Sequence, residues 1–436
     1  MIRKFVLFVC AYALVMAATA PLQAGGFAVT EKGVSGLGNA YSGGAAVAED
    51  AGTVYWNPAG MTRLAGHNAA ASLVVTKPGY EFKSAQTATN ALGLPIEPTG
   101  AYGGDAGSTV WLPNIFYSHS VSDKLKVGID IVVPYNLDTE YDSLWVGRYY
   151  AVKSQLQTYD INPAVAYRIS EQWSLGGGVS AQYLDAELTN AVDFGLINAL
   201  ELGNAFPLIP STPTSDGSMQ VTGDDWGFGF NLGVLFELSE NTRFGLTYRS
   251  KMEHSLDGLA GFTYPAAAPG VGPASGLVNQ NVREEIDMPA NASQSGYQQL
   301  GKWALMGDIT WTQWSTLDEL RIDYANAGVA DDVTTLNWDD TIRIAVGVTW
   351  IFSDEWSWRC GLAFDQTPVS SAALQTPTIP DEDSIWLSLG GSWKFAENWG
   401  LDFGGAYIRT NDAEINKTAP SPPATNENTY RGNLAG

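Results

Sequence analysis

Cysteine, histidine and basic residues are all scarce in this chain. Its 436 residues include two cysteines and three histidines, and 23 lysines and arginines stand against 46 aspartates and glutamates. Cys10 falls within a predicted signal peptide, so Cys360 alone would remain in the mature chain and no internal disulfide can form. The surplus of acidic residues argues against nucleic-acid binding, which requires a basic surface.

Catalytic and metal-binding motifs are also missing. His67, His119 and His254 show no nucleophile–base spacing, and neither GxSxG nor HExxH occurs. One mature cysteine and three scattered histidines do not make a metal-ligand set. We therefore predict that the chain is not an enzyme and that it holds no metal ion and no cofactor.

Long hydrophobic runs are absent beyond the first residues. Residues 1–24 have a basic start, a short apolar stretch and a small-residue exit, which predicts a secretory signal peptide. No later segment has the ~18 consecutive apolar residues that a membrane-spanning helix needs.

The chain has a period-two alternation instead. It is clearest from Trp226 to Leu238, where large apolar residues occupy every second position and mostly small or polar residues lie between them. A strand places such residues on opposite faces, whereas a helix would scatter them around its circumference. The pattern predicts thirteen strands, near 67–77, 110–120, 124–137, 155–169, 172–188, 222–239, 240–256, 281–289, 298–311, 339–352, 355–367, 384–396 and 398–411.

Many strands of about ten residues, with tryptophans near their ends, are typical of a barrel that faces lipid. Every backbone N–H and C=O group in hydrocarbon must be paired, so the sheet has to close on itself. A soluble β-sandwich is the alternative, but it would have shorter strands and fewer aromatic residues. We predict an all-β fold, a transmembrane antiparallel β-barrel over residues 62–436.

The connections distinguish the two ends of this barrel. Tight turns near 170–172, 239–241, 353–355 and 396–398 indicate the periplasmic end. Long loops indicate the extracellular end, at 138–154, 185–222, 257–281, 312–338 and 366–383. Two of these loops carry apolar residues, including Leu196, Ile197, Leu200, Phe206, Leu259 and Phe262. Exposed apolar patches need an explanation, and two stay open: the loops cap the barrel by packing together, or they form a hydrophobic docking groove.

A few basic side chains are predicted to face the barrel lumen. Alternation along the strands sends four of them inward: Arg249, Lys251, Lys302 and Arg343. An unpaired charge is costly where water is excluded, so each base needs a carboxylate partner. The partner is either a lumen acid such as Glu237, Glu253 or Asp308, or the headgroup of an acidic ligand.

Residues 25–61 precede the first strand and lack a fold pattern of their own. They are rich in glycine and alanine and bury too little apolar surface to offset their ordering entropy. Three blocks in this stretch, Gly33–Gly43, Ala48–Gly52 and Asn57–Gly60, closely resemble the N-terminal plug of the FadL/TodX family. These are outer-membrane transporters for long-chain fatty acids and other hydrophobic compounds. Matches at 310–315, 340–347, 364–369 and 379–386 extend the resemblance over nearly the whole mature chain.

The resemblance implies a plug inside the lumen of a fourteen-stranded barrel. The plug residues are Gly36, Gly38, Asn57, Pro58 and Ala59. It also implies an inward kink that opens the wall toward the bilayer, at Pro134, Tyr135 and Asn136. Pro163 in the next strand is a competing position, because proline there also removes a ladder donor. The family uses its two apolar loops as a first docking groove.

Thirteen strands cannot close an antiparallel barrel through neighbouring hairpins. The tail at 412–436 contains three prolines and no alternating apolar run, so we expect it to be an extracellular loop. On this basis we expect the intact protein to continue with one more strand.

The predicted function is inward transport of long-chain fatty acids or similar hydrophobic molecules across the bacterial outer membrane. The route is passive diffusion, with a ligand-induced rearrangement of the plug and a lateral wall opening. Alternatives are an aromatic-hydrocarbon channel, a structural or adhesion barrel, and an outer-membrane enzyme. The expected partners are hydrophobic small molecules, the lipid bilayer and lipopolysaccharide, with the protein acting as a monomer and binding no nucleic acid.

Overall fold

The computed structural model describes residues 25–86, 88–89, 95–96, 101–200, 202–203, 205, 216–266, 269–419 and 428–435. The predicted signal peptide and Phe206 lie outside these ranges. None of the described helices is long and apolar enough to cross a membrane.

Strands dominate the described residues. They are β1 His67–Thr76, β2 Glu81–Gln86, β3 Ala88–Thr89, β4 Pro95–Ile96, β5 Val110–Ser120, β6 Leu125–Val132, β7 Asn136–Glu140, β8 Lys153–Arg168, β9 Trp173–Val192, β10 Gly217–Ser239, β11 Thr242–Arg249, β12 Met252–Thr263, β13 Gln280–Met288, β14 Asn291–Leu300, β15 Trp303–Thr312, β16 Glu319–Tyr324, β17 Asp332–Thr335, β18 Thr341–Ile351, β19 Trp356–Asp365, β20 Ser384–Ala396, β21 Trp399–Thr410, β22 Asp412–Ala419 and β23 Asn428–Ala435. The short helices are α1 Val34–Leu37, α2 Gly44–Val47, α3 Thr53–Trp56, α4 Phe194–Leu200 and α5 Val271–Ser275, with 3-10 turns at Pro58–Arg63 and Trp314–Thr316.

One antiparallel sheet forms the wall of the barrel. Its thirteen successive segments are β1, β5, β6 with β7, β8, β9, β10, β11 with β12, β13 with β14, β15, β18, β19, β20 and β21. This number agrees with the strand count from the sequence. Among the described residues no register joins β1 to β21. A β16–β17 hairpin extends β13 beyond the wall.

The alternation along each strand separates an apolar outer face from a small or polar inner face. On β10 the large residues Trp226, Phe228, Phe230, Leu232 and Leu238 are between 44% and 73% exposed, while Asn231 on the other face is buried. Outward-facing apolar side chains are what a lipid-facing wall requires. The predicted all-β barrel is confirmed.

The predicted tight turns are present, and three of the four share one hydrogen-bonding pattern. The hydroxyl oxygens of Ser170, Ser239 and Ser353 each accept a hydrogen bond from the backbone N–H two residues on, at 3.3 Å. Serine favours turns for this reason. These connections mark one end of the barrel, and the long loops mark the other.

Several strand boundaries differ from the sequence prediction. β12 continues to Thr263 inside the predicted loop 257–281, and β16 and β17 lie inside the predicted loop 312–338. The predicted strand 298–311 is interrupted because Gly301, at a φ of +60°, makes a turn between β14 and β15. The predicted strand 240–256 breaks at residues 250–251 between β11 and β12. The long loop at 185–222 is shorter than expected, because its two ends continue the β9–β10 pairing as far as Val192 and Gly217.

The expectation of a loop throughout the tail is wrong. β22 pairs with β23, and β23 pairs with β2, in a three-stranded sheet separate from the wall. Ala413 and Ile415 are buried while their charged neighbours Asp412 and Glu414 point away from this core. An alternation that rests on two apolar residues is too short to identify a strand from the sequence.

Candidate functional site

The N-terminal segment, defined here as residues 25–64, lies against the inner face of the wall. Seven wall glycines come so close to it that an added Cβ would clash with the segment. These glycines belong to seven strands: Gly128, Gly176, Gly233, Gly245, Gly347, Gly361 and Gly390. Because only hydrogen occupies these inner positions, the backbone of the segment can seat directly on the sheet.

The predicted plug residues lie within this seated segment. Asn57 is fully buried, and its amide nitrogen donates to the carbonyls of Ala45, at 2.7 Å, and Val234, at 3.0 Å. Its side-chain oxygen accepts from the Ala59 N–H at 3.1 Å, and Pro58 follows it at the first position of the 3-10 turn. Such a residue fixes the start of a helical turn. The segment therefore turns at a defined point before it enters β1.

The two predicted plug glycines also sit at close approaches. Gly36 lies in α1 against the ring of Tyr41, where a Cβ would be 2.5 Å from a ring carbon. Gly38 faces the Cα of Gly390, 2.8 Å from an added Cβ. A larger residue at Gly38 would push the segment off the wall, whereas one at Gly36 would displace the ring of Tyr41 within the segment.

The wall is interrupted where β6 ends and β7 begins. Residues 133–135 separate the two strands, and among the described residues no ladder joins 110–114 of β5 to β7. Pro134 has no backbone N–H to donate, which suits it to such a break. Pro163, by contrast, lies inside the continuous β8 and pairs in register with Ile129, although the β8–β9 ladder skips residues 162–163.

The start of the N-terminal segment pairs with this interruption. The Val29 N–H donates to the Pro134 carbonyl at 2.9 Å, and the Asn136 N–H donates to the Phe27 carbonyl at 3.0 Å. Phe27 itself packs edge-on against Trp314, with ring centroids 5.0 Å apart. Residues 27–29, named here the N-terminal arm, thus satisfy the backbone groups that the broken ladder leaves unpaired.

A cavity of about 650 Å³ lies beside the arm and the interruption. It lies at the seam between β1 and β21 and is lined by the arm and α1, by residues 73–76 of β1, by the first residues of β5 and β7, and by β21. Val29, Leu37, Leu112 and Leu137 supply apolar surface. Its size and mixed lining are typical of a small-molecule site.

Arg249 and Arg343 face a second, smaller cavity of about 110 Å³ on the other side of the arm. Arg249 lies 3.3 Å from Asp160, donates to Ser180 at 3.1 Å, and stacks on the ring of Tyr55. It is therefore held by an internal carboxylate.

Arg343 is less completely paired. Its Nη2 donates to the Ala40 carbonyl at 2.8 Å, and its Nε lies 3.6 Å from Asp365, beyond a hydrogen bond. That buried Nε has no hydrogen-bond partner among the described residues. A buried donor left unsatisfied is costly, so Arg343 is the better placed of the two to meet an anion.

The other two predicted bases do not join this site. Lys251 contacts Asp287 at 2.7 Å and Glu253 at 2.9 Å, so two carboxylates already compensate it. It does not face the lumen as predicted, because the strand breaks at residues 250–251 and Lys251 lies beside Glu253 on the exposed face of β12. Lys302 is exposed in the turn after Gly301 and donates to the Phe352 carbonyl at 3.1 Å. Its predicted inward orientation is wrong, because the strand assumed to carry it ends before it.

Lys32 was not predicted, and it lines the 110 Å³ cavity together with Arg249. Its ammonium contacts the Val29 carbonyl of the arm and lies 5.0 Å from the centre of the Tyr55 ring. Burial, and second the positive charge of Arg249, lower the pKa of Lys32 to about 7. The sequence signal was a lone base within a stretch of small residues.

The two apolar loops contact each other. Phe194 and Ile197 on α4 form a buried cluster with Val271 on α5, and the Phe194 and Tyr264 rings lie 5.5 Å apart. Phe262 is buried in a neighbouring cluster, whereas Leu259 is exposed on the opposite face of β12. Leu196 and Leu200 lie on α4, with side chains outside the described ones. The capping interpretation accounts for these contacts.

Comparison with known proteins identifies the family. Residues 14–435 match the family described as outer membrane protein transport protein (OMPP1/FadL/TodX). The chain belongs to this family. It is 31% identical over 362 residues to the long-chain fatty acid transport protein of Salmonella typhi, covering 82% of this chain and 81% of that protein. The Escherichia coli K12 protein of the same name is 30% identical, with 82% and 81% covered.

Solved structures share the fold of this family member. A Pseudomonas aeruginosa FadL homologue superposes with a TM-score of 0.83 at 23% identity, covering 94% of this chain and 97% of that one. The Pseudomonas putida toluene transporter TodX superposes with a TM-score of 0.65 at 15% identity, covering 94% and 98%. The chain is an outer-membrane β-barrel of a transporter family.

Proposed function

We propose that this OMPP1/FadL/TodX family member carries long-chain fatty acids or similar hydrophobic molecules inward across the outer membrane, by passive diffusion and without catalysis. The observation that carries the proposal is the 650 Å³ cavity, which lies between the N-terminal arm and the interrupted wall. The names of the Salmonella and Escherichia relatives support the substrate class. The protein acts as a monomer surrounded by lipid and lipopolysaccharide.

The N-terminal segment serves as the plug in this proposal, and its arm is the part that moves. Residues 38–61 seat on glycines of seven strands, so displacing them would break many contacts at once. The arm is held to the wall break by two backbone hydrogen bonds and the packing of Phe27. Releasing the arm connects the cavity with the break.

The exit is lateral, at Pro134, Tyr135 and Asn136. A carried molecule then passes from the lumen into the bilayer, where apolar surface is favoured. Before that, the contact between α4 and α5 caps the lumen.

The test is to restore the ladder. The double variant Pro134→Val, Asn136→Val provides a backbone donor and β-branched side chains that favour a continuous strand. Uptake of a labelled long-chain fatty acid into cells should fall while surface expression persists. Pro163→Val is the matched control, because it changes a proline inside a continuous strand. Unchanged uptake in the double variant, or an equal loss in the control, would contradict the lateral exit.

An aromatic-hydrocarbon channel is the second candidate, because Arg249 in the lumen already has a carboxylate partner, Asp160. A neutral cargo would not need the lumen bases. Uptake of toluene that exceeds fatty-acid uptake, and that persists without Arg343, would favour this candidate.

A further inference from the structure

Three basic side chains meet at the end of the lumen that carries the tight turns. Arg63 belongs to the last turn of the N-terminal segment, and Lys126 and Arg168 lie near the ends of β6 and β8. Arg168 donates to the Thr62 carbonyl at 2.8 Å. Lys126 donates to the Ser120 hydroxyl at 2.7 Å, and that hydroxyl donates to the Leu64 carbonyl at 3.3 Å. Lys126 and Arg168 therefore lie beside residues 62–64, which include Arg63. The three cations are named here the basic floor.

The strand register brings two of them together directly. Lys126 pairs with Ala166, so Arg168 is its diagonal neighbour on the same inner face. Such neighbours lie roughly 7–8 Å apart, within reach of long side chains. Their like charges repel unless an anion lies between them.

The floor is short of carboxylates. Arg63 and Arg168 share the single carboxylate of Glu237, and the Nη2 atom of Arg168 lies 3.6 Å from it. Lys126 is 5% exposed and forms no ion pair with any described residue. The Nε atoms of both arginines are buried and find no hydrogen-bond partner among the described residues.

The two arginine side chains are partly exposed, at 25% and 32%, but Lys126 is a buried charge without a carboxylate, and such a charge and unsatisfied buried donors are both costly. This chain carries a net charge of −23 and has acids to spare, yet only one of them reaches the floor. We propose that the basic floor is an anion site that binds one oxyanion, a carboxylate or a phosphate, between Arg63, Lys126 and Arg168. Two guanidinium groups and an ammonium are the donors that recognise such groups best.

The floor is separate from the cavity at Arg249 and Arg343. Arg168 follows Asp160, the partner of Arg249, by eight residues along β8. That separation corresponds to roughly 27 Å along a strand. One anion cannot bridge the two places.

The test uses purified protein in a neutral detergent, titrated with sodium phosphate against sodium chloride of equal ionic strength. Phosphate should raise the unfolding temperature of the wild type. Lys126→Gln and Arg168→Gln should each weaken phosphate binding about 10-fold or more, because each removes a charge-assisted contact. Lys302→Gln is the matched control, since it removes an exposed lysine from the same end of the barrel.

A variant on the acidic side keeps the test decisive if Lys126→Gln or Arg168→Gln folds poorly. Glu237→Gln leaves the floor more positive, so it should lower the unfolding temperature without phosphate and strengthen phosphate binding. Equal phosphate responses in all variants, or a response lost in Arg249→Gln instead, would overturn the proposal. Inorganic phosphate has no tail, so this outcome is independent of the proposed transport.

The same titration identifies the source of the anion. Acetate and dodecanoate share a carboxylate, and under the proposal both lose affinity in Lys126→Gln. Tighter binding of dodecanoate assigns the site to the headgroup of an amphiphile, and equal binding assigns it to a free anion. A dodecanoate affinity that is insensitive to Lys126 and Arg168 would contradict a carboxylate site.

Discussion

Replacing Arg343 with glutamine should weaken the binding of a fatty acid but not of its methyl ester. Arg343 borders the 110 Å³ cavity with a buried Nε that no described group satisfies. A charge-assisted hydrogen bond from this Nε to a carboxylate is worth ~1.5–3 kcal/mol. At ~1.4 kcal/mol per decade, its loss corresponds to a roughly 10- to 100-fold weaker affinity. The ester lacks the negative charge, so its affinity should change little.

The assay is a fluorescence or calorimetric titration of delipidated protein with oleate and methyl oleate. Lys251→Gln is a matched control away from this cavity, because Asp287 and Glu253 already compensate that lysine. Lys302→Gln is a second control, in an exposed turn. Thermal unfolding of each variant verifies that the barrel is intact. An unchanged oleate affinity in Arg343→Gln, or an equal loss for acid and ester, would refute the assignment of the headgroup to Arg343.

Three further predictions follow from the N-terminal segment and the loops. Asn57→Ala should destabilise the protein by about 1–3 kcal/mol for each buried hydrogen-bond partner left unsatisfied, measured by denaturant unfolding. A change within error would contradict the claim that Asn57 anchors the segment to the wall. Because the pKa of Lys32 is about 7, its cationic form prevails below that pH. Oleate binding should therefore weaken as pH rises through about 7, and Lys32→Met should abolish this dependence. The same pH profile in the wild type and in Lys32→Met would refute the role of Lys32. Arg148 and Asp216 form a buried pair at 2.7 Å between two loops. Arg148→Met should make α4 protease-sensitive while the wall stays resistant, and unaltered cleavage would count against this latch.

The faces of the wall strands could be predicted because alternation is a local signal. The outward residues of β10 are exposed as their spacing indicates. The misplacement of Lys302 has an equally local cause, since Gly301 turns the chain one residue earlier. A glycine that turns the chain and a glycine that seats a neighbour look alike in a sequence.

The pairing of charges across the lumen could not be predicted in this way. Arg249 meets Asp160, which is 89 residues away, and Arg343 meets the carbonyl of Ala40, which is 303 residues away. Alternation identifies which side chains face the lumen, but not which of them are opposite each other. The same limitation hid Lys32, because its neighbours come from strands far along the chain.

The long-range contacts between the N-terminal segment and the wall affect the order in which the protein assembles. Asn57 donates to a carbonyl 177 residues further on, and Asn39 donates to the hydroxyl of Thr349, 310 residues away. The first part of the chain to leave the membrane translocation machinery therefore waits for almost the last strands before its polar groups are satisfied. Contacts of such long sequence separation slow folding, because the connecting loops must close first. The segment can therefore make all of these contacts only after β18 has joined the wall.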